Sequence, residues 1–303
     1  MKKLLFTCIF IILIIFSLIY PTQIIAASKQ GILVWFEQIL PALLPFTILS
    51  TLLIKSNFLK SFSKSGNLLA ICITMCCGFV FGFPIGAKLA SDFYKTNLLS
   101  KRQAILLSIT TNNFSPMFVC GFVLPTLFPK YDFITSTYLF LYLIPLCLSA
   151  CFLIFTYAKE QENICDKTSE TFDITMSQLD NSILSGFETL IKLCGYIVLF
   201  SILAKITWIL FPEQPFYLTI LLENLEITNG IQMLSANQFD TKTTYILAIQ
   251  ILSFGGLSGI AQTNSVFSTS NLSIYKYIIG KVTLSLLLTL LTVIYVSYFI
   301  HLI

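Results

Sequence analysis

The sequence predicts an all-α, polytopic membrane protein of about seven to nine transmembrane segments, interrupted and re-entrant helices among them, arranged as two inverted repeats. Three observations carry this expectation. Of 303 residues, 56% are hydrophobic and 11% charged, with a mean hydropathy of +0.87, where a soluble domain carries about 25% charged residues. Charge is absent from residues 4–20, 65–87, 103–129, 133–158, 243–275 and 282–303, and an apolar run of roughly 18 residues is long enough to cross the hydrocarbon core as a helix. Third, a segment from each half aligns with the other, and polar or glycine-rich interruptions follow it in the same order.

The same composition excludes several chemistries. His301 is the single histidine, so neither a histidine metal motif nor a Ser-His-Asp arrangement can form. The nine cysteines include no Cys-x-x-Cys pair and sit almost entirely in apolar runs, which reads as small apolar packing residues rather than a zinc site or disulfide framework. No cofactor, metal or nucleic-acid partner is expected, and no catalytic residue is assigned.

Residues 1–27 form an N-terminal transmembrane segment. Ile25, Ala26 and Ala27 make a passable cleavage site, but a polytopic chain needs no secretion signal and an uncleaved span is preferred. Eleven Lys/Arg against two acids (Glu37, Asp92) in residues 1–131, and seven against twelve beyond, orient the chain with its basic segments cytoplasmic. Lys2 and Lys3 therefore send the first span outward, and the segment 32–54, followed by Lys55, Lys60 and Lys64, returns.

The first repeat covers 28–158. Residues 67–87 are apolar enough to cross, yet crossing would leave Lys95, Lys101 and Arg102 outside. The segment also ends in Gly78, Gly82, Pro84 and Gly86, and such backbone is tolerated at membrane depth only where it is packed in protein or lines a cavity. A re-entrant hairpin follows: 67–81 enters, 82–86 turns, and 87–98 returns as an amphipathic helix. Ser100 is the N-cap of the next helix. That helix, 101–111, breaks at Asn112-Asn113-Phe114-Ser115-Pro116 and resumes over 117–127, because proline removes an N–H and disfavours helix at the residue before it. Residues 133–158 return inward to a polar linker, 159–176.

The second repeat is 177–303. Ile32-Leu-Val-Trp-Phe-Glu37 aligns with Ile183-Leu-Ser-Gly-Phe-Glu188, Gly86 with Gly230, and Asn112 to Ser115 with Gly255 to Ser258. The segment 32–54 runs inward and its counterpart 183–205 outward, so the halves are inverted. Interrupted helices in corresponding places of inverted repeats point to a transporter whose site lies near the midplane.

The candidate substrate-binding residues sit at these interruptions: Gly82, Pro84, Gly86, Lys88, Asn112, Asn113, Ser115, Glu226, Thr228, Asn229, Gly230, Gly255, Gly256 and Ser258. Lys88 is the one cation expected within reach of the breaks. It pairs with an anionic substrate beside free helix N–H groups, or it snorkels or pairs with Asp92. Asn112, Asn113 and Ser115 are ligands or side chains that satisfy a broken helix. Glu226, an acid inside the membrane, couples transport to a proton or cation or neutralises Lys88; Glu223 is interfacial. Glu37 and Glu188 suit structural pairing near the membrane edges, and Trp35 and Trp208 suit interface anchoring.

Gly82-Phe-Pro-Ile-Gly-Ala-Lys88, the Asn112-Asn113 break, Leu225-Glu-Ile-Thr-Asn-Gly230 and Ser253-Phe-Gly-Gly-Leu-Ser258, in this order over about residues 28–300, resemble the four signatures of the YlbJ-type sporulation integral membrane proteins, in the broader nucleoside-recognition (Gate) domain group. The second motif departs from the family pattern, where a small residue and Gly-Pro are expected. The resemblance implies a multi-pass protein of the mother-cell-derived outer forespore membrane that passes dipicolinic acid (pyridine-2,6-dicarboxylate) towards the forespore. It implies a small anionic substrate and the lipid bilayer as partners, with a homo-oligomer and other sporulation membrane proteins as further candidates. A non-transporting assembly protein and a nucleoside-type permease are the alternatives, and an intramembrane enzyme lacks a plain acid or nucleophile pair.

Overall fold

The computed structural model describes residues 2–55, 66–160, 175–211, 216–236 and 239–299. Most of the polar linker, with Lys60 and Lys64, lies outside the described residues. Every regular element among the described residues is helical. Among the described residues five helices are long and apolar enough to cross a membrane: Lys101–Leu127, Ile134–Leu153, Met176–Leu210, Thr241–Phe267 and Ile274–Tyr298. Polarity is inside out: Leu286, Leu290 and Ile294 are exposed on the last helix while Lys281, Ser285 and Thr292 on the same helix are buried, the pattern of a helix solvated by lipid outside and packed on polar groups within.

In the first half, α1 (Lys2–Ile19) and α2 (Pro21–Val34) lead through a π turn (Trp35–Ile39) into α3 (Leu40–Lys55). Next come a hairpin, α4 (Gly66–Phe81) and α5 (Ile85–Lys95), and a broken helix, α6 (Lys101–Thr111) and α7 (Pro116–Phe118). α7 continues through Val119–Val123 into α8 (Leu124–Leu127). A closing span runs from α9 (Ile134–Tyr138) through Leu139–Leu143 into α10 (Ile144–Glu160). The second half repeats the order: a long span α11 (Met176–Leu210), a hairpin α12 (Phe216–Glu223) and α13 (Ile227–Ala236), a broken helix α14 (Thr241–Phe254) and α15 (Gly256–Phe267), and a closing span α16 (Ile274–Phe299).

The first spans of the two halves lie side by side and run antiparallel. A Cβ on Gly31 would lie 2.9 Å from Ser201 Oγ, Trp35 Nε1 donates to the Leu190 carbonyl at 2.8 Å, and a Cβ on Gly186 would lie 3.2 Å from Thr47 Oγ1. Advancing along α2 and α3 therefore means retreating along α11. Trp35 thus ties α11 to the first half.

The hairpin arms cross on small residues. A Cβ on Gly78 would sit 3.2 Å from Gly86 Cα, one on Gly86 would sit 2.8 Å from the Thr111 carbonyl oxygen, and one on Gly230 would collide with the Glu223 backbone. Each tip is hydrogen-bonded to the break of its own half. Phe83 N–H donates to the Asn113 carbonyl at 2.6 Å, while Leu257 and Ser258 N–H donate to Asn224 and Leu225 carbonyls at 2.9 and 3.0 Å. These backbone bonds satisfy groups that a broken helix leaves without partners.

The returning arm of the first hairpin is 85–95 rather than 87–98, because the chain is helical as soon as it leaves the Gly82 turn, where φ is +70°. Ser100 caps α6 as expected, its hydroxyl accepting from Gln103 N–H at 3.2 Å. The cysteines depart from expectation: Cys72, Cys76, Cys147 and Cys151 are exposed. In an apolar solvent a thiol on the outer face needs no burial in protein.

Candidate functional site

Three half-helices begin at one place, beside the turn that starts a fourth. Proline at position 116 ends the preceding backbone's helical run, and Ser115 takes an extended conformation as N-cap of α7, its hydroxyl accepting from Phe118 N–H at 3.2 Å. Gly255 and Gly256, with φ of +88° and +69°, turn the chain between α14 and α15 in a left-handed region open to glycine. α5 starts after the Gly82-Phe83-Pro84 turn and α13 after Glu226. Phe83, Ser115, Glu226 with Thr228, and Gly255 with Ser258 line a single narrow pocket, closed by Phe114, Phe118 and Gln262 and, from the first spans of both halves, by Leu43, Leu193 and Ile197.

The N-terminal ends of α7, α13 and α15 therefore converge on this pocket, with Phe83 of the turn before α5 beside them. Aligned peptide dipoles make helix N-termini electropositive, although Leu257 and Ser258 N–H of α15 and Phe118 N–H of α7 already have partners within the protein. One end already has its anion: the Glu226 carboxylate accepts from the N–H groups of Thr228 and Asn229 at 3.1 and 3.0 Å, and from the Thr228 hydroxyl and Asn229 amide. Glu226 is 4% exposed, so it caps α13 from within the pocket wall. It remains the single charged residue among those lining the pocket.

Of the fourteen expected site residues, Ser115, Glu226, Thr228, Gly255 and Ser258 meet in this pocket. Pro84 and Lys88 line a neighbouring pocket with Asp92, Lys95 and Lys192, which shares Leu193 and Gln262 with the first. There Lys88 Nζ donates to Thr51 Oγ1 at 3.1 Å, and Asp92 pairs with Lys95 at 3.2 Å. Asn229 lines a third pocket with Ser201, Lys205, Trp208 and Gln232, and its amide donates to Ser201 Oγ at 2.6 Å. Glu188, mostly exposed, pairs with Lys192, and Glu223 is fully buried.

The other six have structural positions. Gly82 and Gly256 make turns, and Gly86 and Gly230 let hairpin arms cross. Asn112 donates to Thr263 Oγ1 and Tyr277 OH at 3.2 and 3.0 Å. Asn113 donates to the Thr110 and Leu141 carbonyls at 2.7 and 3.1 Å, and its Oδ1 accepts from Lys281 Nζ at 2.9 Å. The cation at a break is thus Lys281, not Lys88 alone. Its sequence signal was a polar stripe, Tyr277, Lys281 and Ser285, at four-residue spacing on an otherwise apolar helix.

The three pockets follow one another along α11. Thr189 and Lys192 line the first, Leu193 and Ile197 the break pocket, and Ser201, Lys205 and Trp208 the third. From Thr189 to Trp208 the helix rises about 28 Å at about 1.5 Å per residue, close to the ~30 Å hydrocarbon core. Both outer pockets carry lysines. Trp208 takes the Lys205 ammonium 5.5 Å from its ring centre, a cation–π contact.

Among curated proteins the chain is similar to the sporulation integral membrane protein YlbJ of Bacillus subtilis (strain 168), with 24% identity over 312 aligned positions that cover 86% of this chain and 75% of that one. The resemblance to the YlbJ-type sporulation membrane proteins is borne out by this similarity. No family model matches the chain, and no solved structure matches it.

Proposed function

From its similarity to a YlbJ-type sporulation protein we propose that the chain is a permease for a small organic anion in a sporulation membrane, with dipicolinic acid crossing the outer forespore membrane as the substrate that the family resemblance implies. One observation carries the reading: the N-termini of α7, α13 and α15, from two antiparallel halves, meet at one pocket beside Phe83 of the turn that precedes α5. A carboxylate at a helix N-terminus gains typically 0.3–1 kcal/mol, and more where it is partly buried, so several ends can repay part of the dehydration of a rigid dianion. The lysines of both outer pockets supply the sign of field that draws an anion to either mouth.

A nucleoside-type permease is the second reading, favoured by the pocket's own wall. Phe83, Phe114 and Phe118 offer ring faces, and Glu226 and Gln262 offer hydrogen-bonding groups without a cation. Uptake of labelled dipicolinate into proteoliposomes, beside empty vesicles and a Lys88→Ala control, separates the two. Saturable uptake that unlabelled dipicolinate competes and nucleosides do not is expected, falling at least tenfold in Lys88→Ala. Nucleoside uptake instead supports the second reading. No uptake by folded, inserted protein moves the assignment to an assembly role.

A further inference from the structure

The crossing of the two broken helices holds a buried ammonium that the pocket does not use. Tyr277, Lys281 and Ser285 occupy successive turns of one face of α16. Tyr277 accepts from the Asn112 amide, Lys281 Nζ donates to Asn113 Oδ1 at 2.9 Å and to the Ser253 carbonyl at 3.4 Å, and Ser285 Oγ bonds Ser253 Oγ and the Gln250 carbonyl, both at 3.0 Å. Gly280 permits the approach, since a Cβ there would strike Ile109 of α6. Asn112 and Asn113 directly follow the last residue of α6, and Ser253 lies in the last turn of α14. The ammonium therefore sits where the first halves of both broken helices end.

Helix C-termini expose carbonyls without intrahelical partners and carry partial negative charge. Lys281 is 1% exposed, and among the described residues no carboxylate pairs with it. Burying an ammonium without a counter-charge costs several kcal/mol unless oxygens replace its water, and the two helix ends supply those oxygens. The cluster even keeps an acceptor in excess: Asn112 Oδ1 is buried with no hydrogen-bond partner. In transporters built from discontinuous helices, half-helix C-termini and unwound carbonyls are the groups that coordinate a coupling cation.

We propose that Lys281 is a tethered cation in the place of a bound monovalent metal ion, holding the two half-helix C-termini together so that the protein needs neither Na⁺ nor K⁺ to keep its broken helices in register. Lys281 is on this account a positioning residue, and the proposal stands whatever substrate the pocket takes. Removing the side chain leaves an oxygen-lined space that a hydrated monovalent cation can enter, whereas Lys281→Met fills the space and leaves the oxygens unpaired.

The test is thermal unfolding of the full-length protein in detergent, in choline, sodium and potassium chloride at equal ionic strength. The wild-type midpoint is expected to be the same in all three. Lys281→Ala is expected to unfold several degrees lower in choline and to recover at least half of that loss in sodium or potassium. Lys281→Met is expected to lose as much and recover nothing. A wild-type midpoint raised specifically by sodium or potassium overturns the proposal, as does Lys281→Ala matching wild type in choline or showing no recovery in either salt. Should neither variant fold, the wild-type comparison alone decides.

Discussion

The two halves of the molecule build the same frame with different chemistry. In each, a hairpin tip hydrogen-bonds through its backbone to the break of the following helix, and small residues let the arms cross. The first half interrupts its helix with Asn112, Asn113 and Pro116, the second with Gly255 and Gly256 in left-handed conformations. The first tip presents Phe83 to the pocket and the second presents Glu226. Geometry is thus held by backbone bonds and absent side chains, which many sequences can supply, while the polarity at each tip is free to differ. Two halves with little residue identity can then share one architecture and form a pocket that is not symmetric in charge.

The sharpest way to break this frame is to add an atom where the arms cross. A Cβ at position 230 would collide with the Glu223 carbonyl, a backbone group that cannot rotate away. Gly230→Ala is therefore expected to cost about 3 kcal/mol, the upper end of ordinary overpacking. Gly195 has nothing within 4 Å of the same added atom, and Gly195→Ala is expected to be neutral or to stabilise by up to ~1 kcal/mol through helix propensity. Thermal unfolding of the two variants side by side checks it, and equal midpoints would contradict the crossing argument.

The tips are compared next. Glu226→Gln keeps the shape of the cap and removes its charge, weakening hydrogen bonds that to an ionised group are worth about 1.5–3 kcal/mol each. Its functional consequence has opposite signs in the two readings. With an anionic substrate the competing resident charge is gone, and the KM for dipicolinate falls several-fold. With a nucleoside the variant loses an acceptor the substrate needs, and uptake drops. Transport kinetics of the one variant on both compounds tells which half of the pocket sets specificity.

The frame was legible in the sequence because its signals are local. Uncharged runs, Gly82 to Gly86, the Asn112 to Pro116 break and the Ser100 cap each act on their own few residues. The meeting of the breaks follows from the repeat, which aligns Ser115 with Ser258, two residues that line one pocket. What escaped depends on partners distant in the chain. Lys281 lies between two uncharged runs, and its place becomes plain only when α16 is packed on both broken helices, 168 residues from Asn113 and 28 from Ser253. The split of Lys88 from the break pocket was invisible for the same reason: the face of α5 that carries it turns towards Thr51 of α3, a contact no spacing rule predicts.

The smallest difference between the halves lies where each broken helix starts. Ser100 caps α6 with a neutral hydroxyl and a reciprocal bond from its N–H to Gln103 Oε1 at 3.0 Å. Asp240 caps α14 with a carboxylate that accepts from Thr243 N–H at 3.4 Å. Bonding to the Thr243 side chain and to backbone N–H groups at this helix start holds the Asp240 carboxyl below the usual carboxylate range. A depressed folded-state value means that the contribution of this cap is complete above the unfolded value, about 3.9, and is lost as pH falls through the lower folded one. Acidification below about pH 4 should then loosen the first turn of α14 and leave that of α6 unchanged. The protection of the Thr243 amide against hydrogen exchange, normalised to its intrinsic rate and compared with that of Gln103, reports it directly. Equal loss at both amides would mean that acid acts on the whole fold and that the charged cap adds nothing its neutral counterpart lacks.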